Sequence, residues 1–370
     1  MDEILATLVS FKSVPDNHSA NKAALDFIDR FVSARGMHTK HFEHNGSPAL
    51  VATSLPLQKT PTVMLAGHID VVPAADELFT LHKDADAYYG RGVLDMKGSI
   101  AVFMSVLDEL KEQIDEFDIG LMITSDEELG GFNGTPKVLE AGYLPKVCIL
   151  PDGGDNWQIQ LSAKGVLQLR IRTNGQAAHG SQPWNGDNAN LHLIRVLHDI
   201  MALFPENGPD TNTVNVGKIS GGEAINQVPD AAEALIDIRY VHEQAKQQLL
   251  EKITHICQKH HAQLEVVMQG IGARFDLSNP FIKHFAQIVT EVTGVEVKGS
   301  HAFGSSDARF FAALDIPCIS LYPPGGGHHG PNESVSIKGL QQLKAIITQF
   351  LIETTQESST EVVQTPDAVL

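Results

Sequence analysis

The chain alternates short, nearly unbroken apolar runs with longer stretches whose apolar positions recur every three or four residues. Leu5, Leu8, Val9 and Phe11, then Leu25, Phe27, Ile28 and Phe31, carry helical spacing, and Gly36 ends that section. Ala49 to Ser54 and Thr62 to Ala66 read as short buried strands, as do Ile119 to Thr124 and Val147 to Leu150. Asp95 to Leu110, between them, alternates as an amphipathic helix. Three of the strands run straight into polar residues: Gly67-His68-Ile69-Asp70, Ser125-Asp126-Glu127-Glu128 and Pro151-Asp152-Gly153-Gly154. Strands separated by helices, with polar groups at the strand ends, predict an α/β sheet with its chemistry at the tips.

The pattern changes after about residue 163. Gly165 to Thr173 alternates as a half-buried strand, and Val214 to Ile219, Ala234 to Tyr240 and Leu264 to Met268 read as further strands. Leu191 to Leu203 and Gln244 to His260 read as helices, which completes a small α+β unit. From about Asn279 the α/β pattern resumes, with a helix through Val289 and strands near Val297 and Ile319. The expected organisation is a discontinuous catalytic domain, residues 1–163 and 277–355, interrupted by an inserted domain, 164–276. Residues 356–370 are polar without periodicity and read as a disordered tail.

Composition narrows the class. The 370 residues exceed what one compact core usually organises, and 42% hydrophobic with 19% charged is ordinary for a globular enzyme. A formal net charge of −18 argues against nucleic-acid and anionic-membrane partners, because like charge repels. It leaves room for an anionic small substrate in a pocket with its own arginines. Cys148, Cys257 and Cys318 are odd in number and far apart, which does not suit a disulfide framework. Met1-Asp2-Glu3 opens no basic-then-apolar leader, and no apolar run approaches the ~20 residues of a membrane span. A cytoplasmic address is the expectation.

The candidate chemistry is a set of metal-ligand types at strand-to-loop switches. His68 and Asp70 stand two apart in GHID; in extended backbone both face one side, so the aspartate can fix the imidazole tautomer. Asp95 lies in GRGVLDMKG at a helix entrance. Glu127 and Glu128 are adjacent in TSDEELGG, so on an extended segment they point opposite ways, one towards metal and one towards water. Asp152 closes a strand in ILPDGG, and His329 lies in the glycine-rich GGGHHGPNE. Singly, each has an ordinary explanation as a cap, a turn or a solvated strand end. Together, two histidines and three carboxylates suit a paired zinc site.

The ordered series GHID, GRGVLDMKG, TSDEELGG, PDGG, GQAAHGSQP, GGEAINQVPDAAEALIDIR, GSSDARF and HGPNE resembles the aminoacylase, acetylornithine deacetylase and succinyl-diaminopimelate desuccinylase family of two-zinc metallopeptidases. The resemblance runs from about residue 60 to 340. It implies a zinc-peptidase-like α/β catalytic domain, its mixed sheet flanked by helices, with an inserted α+β lid through which two subunits form a homodimer. It implies that His68 and Asp152 bind one zinc ion, His329 and Glu128 the other, and that Asp95 bridges them, with a cis peptide bond after it. Glu127 would be the general base and Asp70 would fix His68. His179 would reach a partner subunit's site to hold the scissile carbonyl. Asn226, Arg239, Gly304, Ser305 and Arg309 would grip the substrate's carboxylate, a task suited to guanidinium forks. For Arg239 and Arg309 an internal salt bridge is the alternative. Cobalt or manganese can substitute in carboxylate-rich sites.

The implied reaction is removal of an acyl group from an N-acyl amino acid. The sequence departs from close deacylases at two places. Asp152 is followed by glycines where those have Glu-Pro-Thr, and Val71 to Leu81 lacks their Trp…Pro-Phe pattern. In such families aspartate at this position goes more with aminopeptidases and dipeptidases, so an exopeptidase or dipeptidase is the alternative. A silent binding protein is disfavoured, since Glu127 and all five ligand positions are filled.

Overall fold

The computed structural model describes residues 1–208, 210–302 and 306–355. The expected tail and Gly304 and Ser305 lie outside these. The chain divides into two compact units, one of Met1–Ser162 with Arg274–Ala302 and the chain from Ser306 on, the other built on Ala163–Ala273.

At the centre of the first unit is a six-stranded sheet in the order His38–His44, Ser47–Thr53, Ile119–Thr124, Val63–His68, Val147–Ile149, Cys318–Ile319. The last four are mutually parallel, and Ser47–Thr53 joins them antiparallel, so the sheet is mixed. Val63–His68 and Ile119–Thr124 are buried at every position, which is why they read as unbroken apolar runs and not as alternations. Register places His68 opposite Thr124 and Leu65 opposite Ile149. The residues that follow all four parallel strands therefore emerge at one carboxyl edge, where open α/β sheets bind ligands.

Helices cover this sheet. Lys97–Leu110 is buried from Lys97 to Leu107, and it packs on Ile337–Thr355. Asn17 caps His18–Ser33 by accepting from the Ala20 amide. Asn279 caps Pro280–Thr293 by accepting from Phe281 and Ile282, with Pro280 in the first turn and Gly294 ending the helix at φ +75°. Each such cap contributes about 1 kcal/mol. The helix Ile337–Thr355 was not among the expected elements, although Leu340, Leu343, Ile346, Ile347, Phe350 and Leu351 are buried at helical spacing. Val297 lies in no strand; the nearby strand is Gly299–Ala302.

A small sheet matters more for the site than its size suggests. Its order is Gly325–Gly326, Ser334–Ser336, Ala87–Tyr89, His82–Lys83. Val335 pairs with Tyr88, so the loop holding His328 and His329 is registered against the segment leading into Arg91 to Asp95.

The second unit is a four-stranded antiparallel sheet, Thr213–Gly221, Ala231–Tyr240, Gly165–Asn174, Gln263–Gly270, with a bulge between Val216 and Lys218. Helices Ala189–Met201 and Glu243–Lys259 cover it, and Leu167, Leu169, Ile171, Leu193, Val196, Ile236 and Ile253 form its own core. Among the described residues, no helix is long and apolar enough to cross a membrane.

Candidate active site

Asp95 lies at the middle of the cluster that the carboxyl edge assembles. Its Oδ1 is 3.1 Å from His68 Nε2, while its Oδ2 is 2.7 Å from His328 Nε2 and 3.1 Å from His329 Nε2. The two oxygens of one carboxylate thus face two donor groups. One is His68, Glu127 and Asp152; the other is His328 and His329 with Asp95 itself, and within each group the ligand atoms lie within 4.8 Å of one another. Glu128 joins the second, its Oε1 3.3 Å from His329 Nε2. The Asp95–Met96 peptide bond is cis.

The sequence leads to these positions locally. His68 is the last residue of its strand. Its Nδ1 donates to the Asp70 backbone carbonyl at 3.0 Å, with the Asp70 carboxylate 3.5 Å away. The tautomer is therefore set by main chain first, and the side-chain contact expected from the two-residue spacing is the longer one. Asp70 Oδ2 instead accepts from the Glu128 amide at 3.0 Å, so it also holds the neighbouring acidic turn. That turn corrects the expectation of extended backbone: Glu127–Leu129 is one 3-10 turn ending at Gly130, φ +98°. Successive side chains on a 3-10 turn are about a third of a revolution apart. Glu127 still goes with His68 and Asp152, and Glu128 with His329.

Charge in this cluster is set against water. Burial, reinforced by the Asp152 charge, raises the Glu127 pKa well above its ordinary value. Burial likewise raises Asp152 and Glu128. Asp95 goes the other way: burial opposes its charge, but hydrogen bonds to His328, His329 and His68 outweigh that and hold it well below the usual range. Burial also works against a charged His68, yet Asp70 and Asp95 raise its pKa well above normal. With Nδ1 committed to Asp70, a neutral His68 turns its Nε2 lone pair on Asp95 Oδ1. Asp152 Oδ2 is buried with no hydrogen-bond partner among the described residues. A buried, unpartnered Asp152 oxygen beside His68 and Glu127, and Asp95 shared with the more exposed His328 and His329, is a donor set of the kind that holds cations, so the residues fit metal ions.

Glu333, the acid of HGPNE, ties the two loops. It accepts from the amides of Gly92, Leu94 and Asp95 at 2.9, 3.0 and 3.1 Å, and from Arg91 Nη1 at 2.5 Å. Sequence reading missed it, and missed His328 and Tyr322. Tyr322 donates its hydroxyl proton to Asp152 Oδ1 at 2.7 Å, and the His328 ring stacks on His329 at 4.0 Å. The doubled histidine of GGGHHGPNE was the one visible signal.

The substrate-gripping candidates are divided between the two units. Arg309 is buried in the first unit, donating to the Gly130 carbonyl and lying 4.6 Å from the Phe310 ring centroid. The others described belong to the second unit. His179 is exposed, its Nδ1 2.8 Å from Ser181 Oγ. The Gly180 amide donates to the Asn226 carbonyl at 2.6 Å, so His179 and Asn226 are close neighbours there. Arg239 Nε donates to Asp237 at 2.9 Å, the internal ion pair weighed as its alternative.

Curated relatives cover nearly all of the chain. Succinyl-diaminopimelate desuccinylase of Rickettsia akari is 28% identical, covering 94% of this chain and 98% of its own length. The protein of the same name from Legionella pneumophila is 26% identical over 93% and 96%. Among solved structures, aminopeptidase PepT from Bacillus cereus superposes with a TM-score of 0.80 at 20% identity, covering 95% of this chain and 97% of the other. A tripeptidase from Staphylococcus aureus does so at 0.77 and 21%, with the same coverages. Residues 64–353, the stretch from the His68 strand to the end of the closing helix, match Peptidase family M20/M25/M40. A carboxylate-bridged pair of donor groups at the sheet's carboxyl edge and a match over that span place the chain in this family, as a hydrolase of amide bonds.

Proposed function

We propose that the chain removes an acyl group from a small N-acyl amino acid, using two zinc ions per subunit, in the cytoplasm. The observation that carries this is the division of Asp95 between two donor groups, with Oδ1 on His68 and Oδ2 on the His328–His329 pair. In this reading His68 and Asp152 hold one ion, His329 and Glu128 the other, and Asp95 both. Ions held there would supply Lewis acidity, polarising the scissile carbonyl and lowering the pKa of water from 15.7 towards about 7. Cobalt or manganese would substitute for zinc.

Glu127 moves the proton. Placed beside His68 and Asp152, it would take a proton from the attacking water and deliver it to the departing nitrogen. An amide nitrogen leaves poorly as an anion and well as a neutral amine. Asp70 keeps the His68 Nδ1–H pointed away from the centre through its carbonyl. His179, in the second unit, belongs in this reading to a lid that reaches the site of a partner subunit, making the enzyme a homodimer. Asn226, Arg239, Arg309, Gly304 and Ser305 are assigned to the substrate carboxylate.

The curated relatives named succinyl-diaminopimelate desuccinylase support an acyl-amino-acid substrate. Asp152 before two glycines favours a second reading, a dipeptidase or other exopeptidase. Assay of zinc-loaded protein on N-succinyl and N-acetyl amino acids beside a dipeptide panel separates them. Turnover of the acyl compounds is the expected result; turnover confined to dipeptides rejects the deacylase.

A further inference from the structure

The short Asp152 arm has its own support. The loop after it is curled tightly: Gly153 has φ +151° and Gly154 φ +69°. A Cβ at Gly153 would sit 2.2 Å from Gln160 Oε1, and one at Gly154 2.0 Å from the Gln158 carbonyl. Only glycines allow the turn to lie this close on the strand Ile159–Ala163. The same loop fixes the backbone of Tyr322. The Trp157 amide donates to the Tyr322 carbonyl at 3.0 Å, and the Gln160 amide to the Ser320 carbonyl at 2.8 Å.

Held in this way, the Tyr322 hydroxyl donates to Asp152 Oδ1 at 2.7 Å. Asp152 belongs to the group with His68 and Glu127, and its Oδ2 is buried without a hydrogen-bond partner among the described residues. One oxygen is thus occupied by a fixed donor, which leaves the other unpartnered among the described residues. We propose that Tyr322 is a positioning residue for the first metal ion: its hydroxyl occupies one Asp152 oxygen and so holds the carboxylate in place as a one-oxygen ligand. This rests on the two-metal reading above. It also gives the PDGG departure a purpose, since the glycine turn and Tyr322 are packed as one piece.

The test is metal titration of chelator-stripped protein, followed by calorimetry and by the visible absorption of cobalt, in wild type, Tyr322→Phe and Asp152→Asn. The phenylalanine ring preserves packing, and an unchanged melting temperature of the stripped protein checks that the fold is kept. Outer partners of metal ligands are worth roughly 10–100-fold in affinity, so Tyr322→Phe should weaken one of two bound equivalents by that factor and leave the other as in wild type. With saturating metal, kcat should fall and KM stay. In the double variant, Tyr322→Phe should add nothing to Asp152→Asn, because the tyrosine acts through that carboxylate. If wild type binds two ions and Tyr322→Phe binds both as tightly, the inference fails alone. If wild type binds none, the two-metal reading fails and takes the inference with it.

Discussion

The Asp95 amide donates to Glu333 Oε1 at 3.1 Å, joining two loops that lie 238 positions apart in sequence. One Glu333 carboxylate also takes the amides of Gly92 and Leu94 and the Arg91 guanidinium. The glycine-flanked segment that delivers the shared carboxylate is thereby clamped to the loop that delivers the two histidines. Both partners of the ion pair are almost completely buried, at 3% and 1% side-chain exposure.

Glu333→Ala should therefore be costly to the fold itself. Removing one partner of a buried ion pair leaves the other charge stranded, which destabilises by about 3–5 kcal/mol. Urea denaturation of the metal-free protein measures it. A loss below about 1 kcal/mol would show that the clamp is not structural.

His328 and His329 should differ in kind. His329 Nε2 lies near both Asp95 and Glu128, whereas His328 Nε2 is hydrogen-bonded to Asp95 and its ring stacks on His329. His329→Ala should weaken the second ion more than tenfold, and His328→Ala less. Calorimetric titration of both variants checks the order, and the reverse order would exchange the two assignments.

Asp307 should make stability fall with rising pH. Burial pushes its pKa up to about 7, against the Thr135 hydrogen bond and Arg309, which lower it. Its unfolded value is near 3.8. A carboxyl raised on folding binds more protons in the native state, so its favourable contribution is complete below about 4 and is lost as pH climbs to about 7. Wild type minus Asp307→Asn, in unfolding free energy, should decline across that window. A flat difference would mean that Asp307 is ionised throughout.

Glu127→Gln keeps the size of the side chain and removes the base. kcat should fall by about 10²–10⁴-fold with both ions retained, as read by turnover and elemental analysis on one sample. Retained turnover would assign the proton transfer to another group.

How much of this was legible in sequence follows from what each signal is. Buried parallel strands announce themselves as short apolar runs, so the Ile119–Thr124 strand and the polar groups following it were readable. Among the described residues His38–His44 pairs only with Ser47–Thr53, and it is mostly exposed, so it left no apolar run. The Glu127–Glu128 turn could not be read from spacing alone, because adjacent acids diverge on extended and on 3-10 backbone alike. Glu333 and Tyr322 act through hydrogen bonds to main chain and to a carboxylate, contacts that no periodicity records. His328 was passed over because a doubled histidine in a glycine-rich loop has no spacing to interpret.

The central claim is that Asp95 organises a two-ion centre that hydrolyses amides. Zinc added stepwise to chelator-stripped protein, with bound metal and hydrolysis of an N-acyl amino acid followed together, tests it most directly. Activity should rise with uptake to two ions per chain, and Asp95→Asn should abolish both. Full activity in the stripped protein, or no hydrolysis of any acyl or peptide amide at two bound ions, would contradict it.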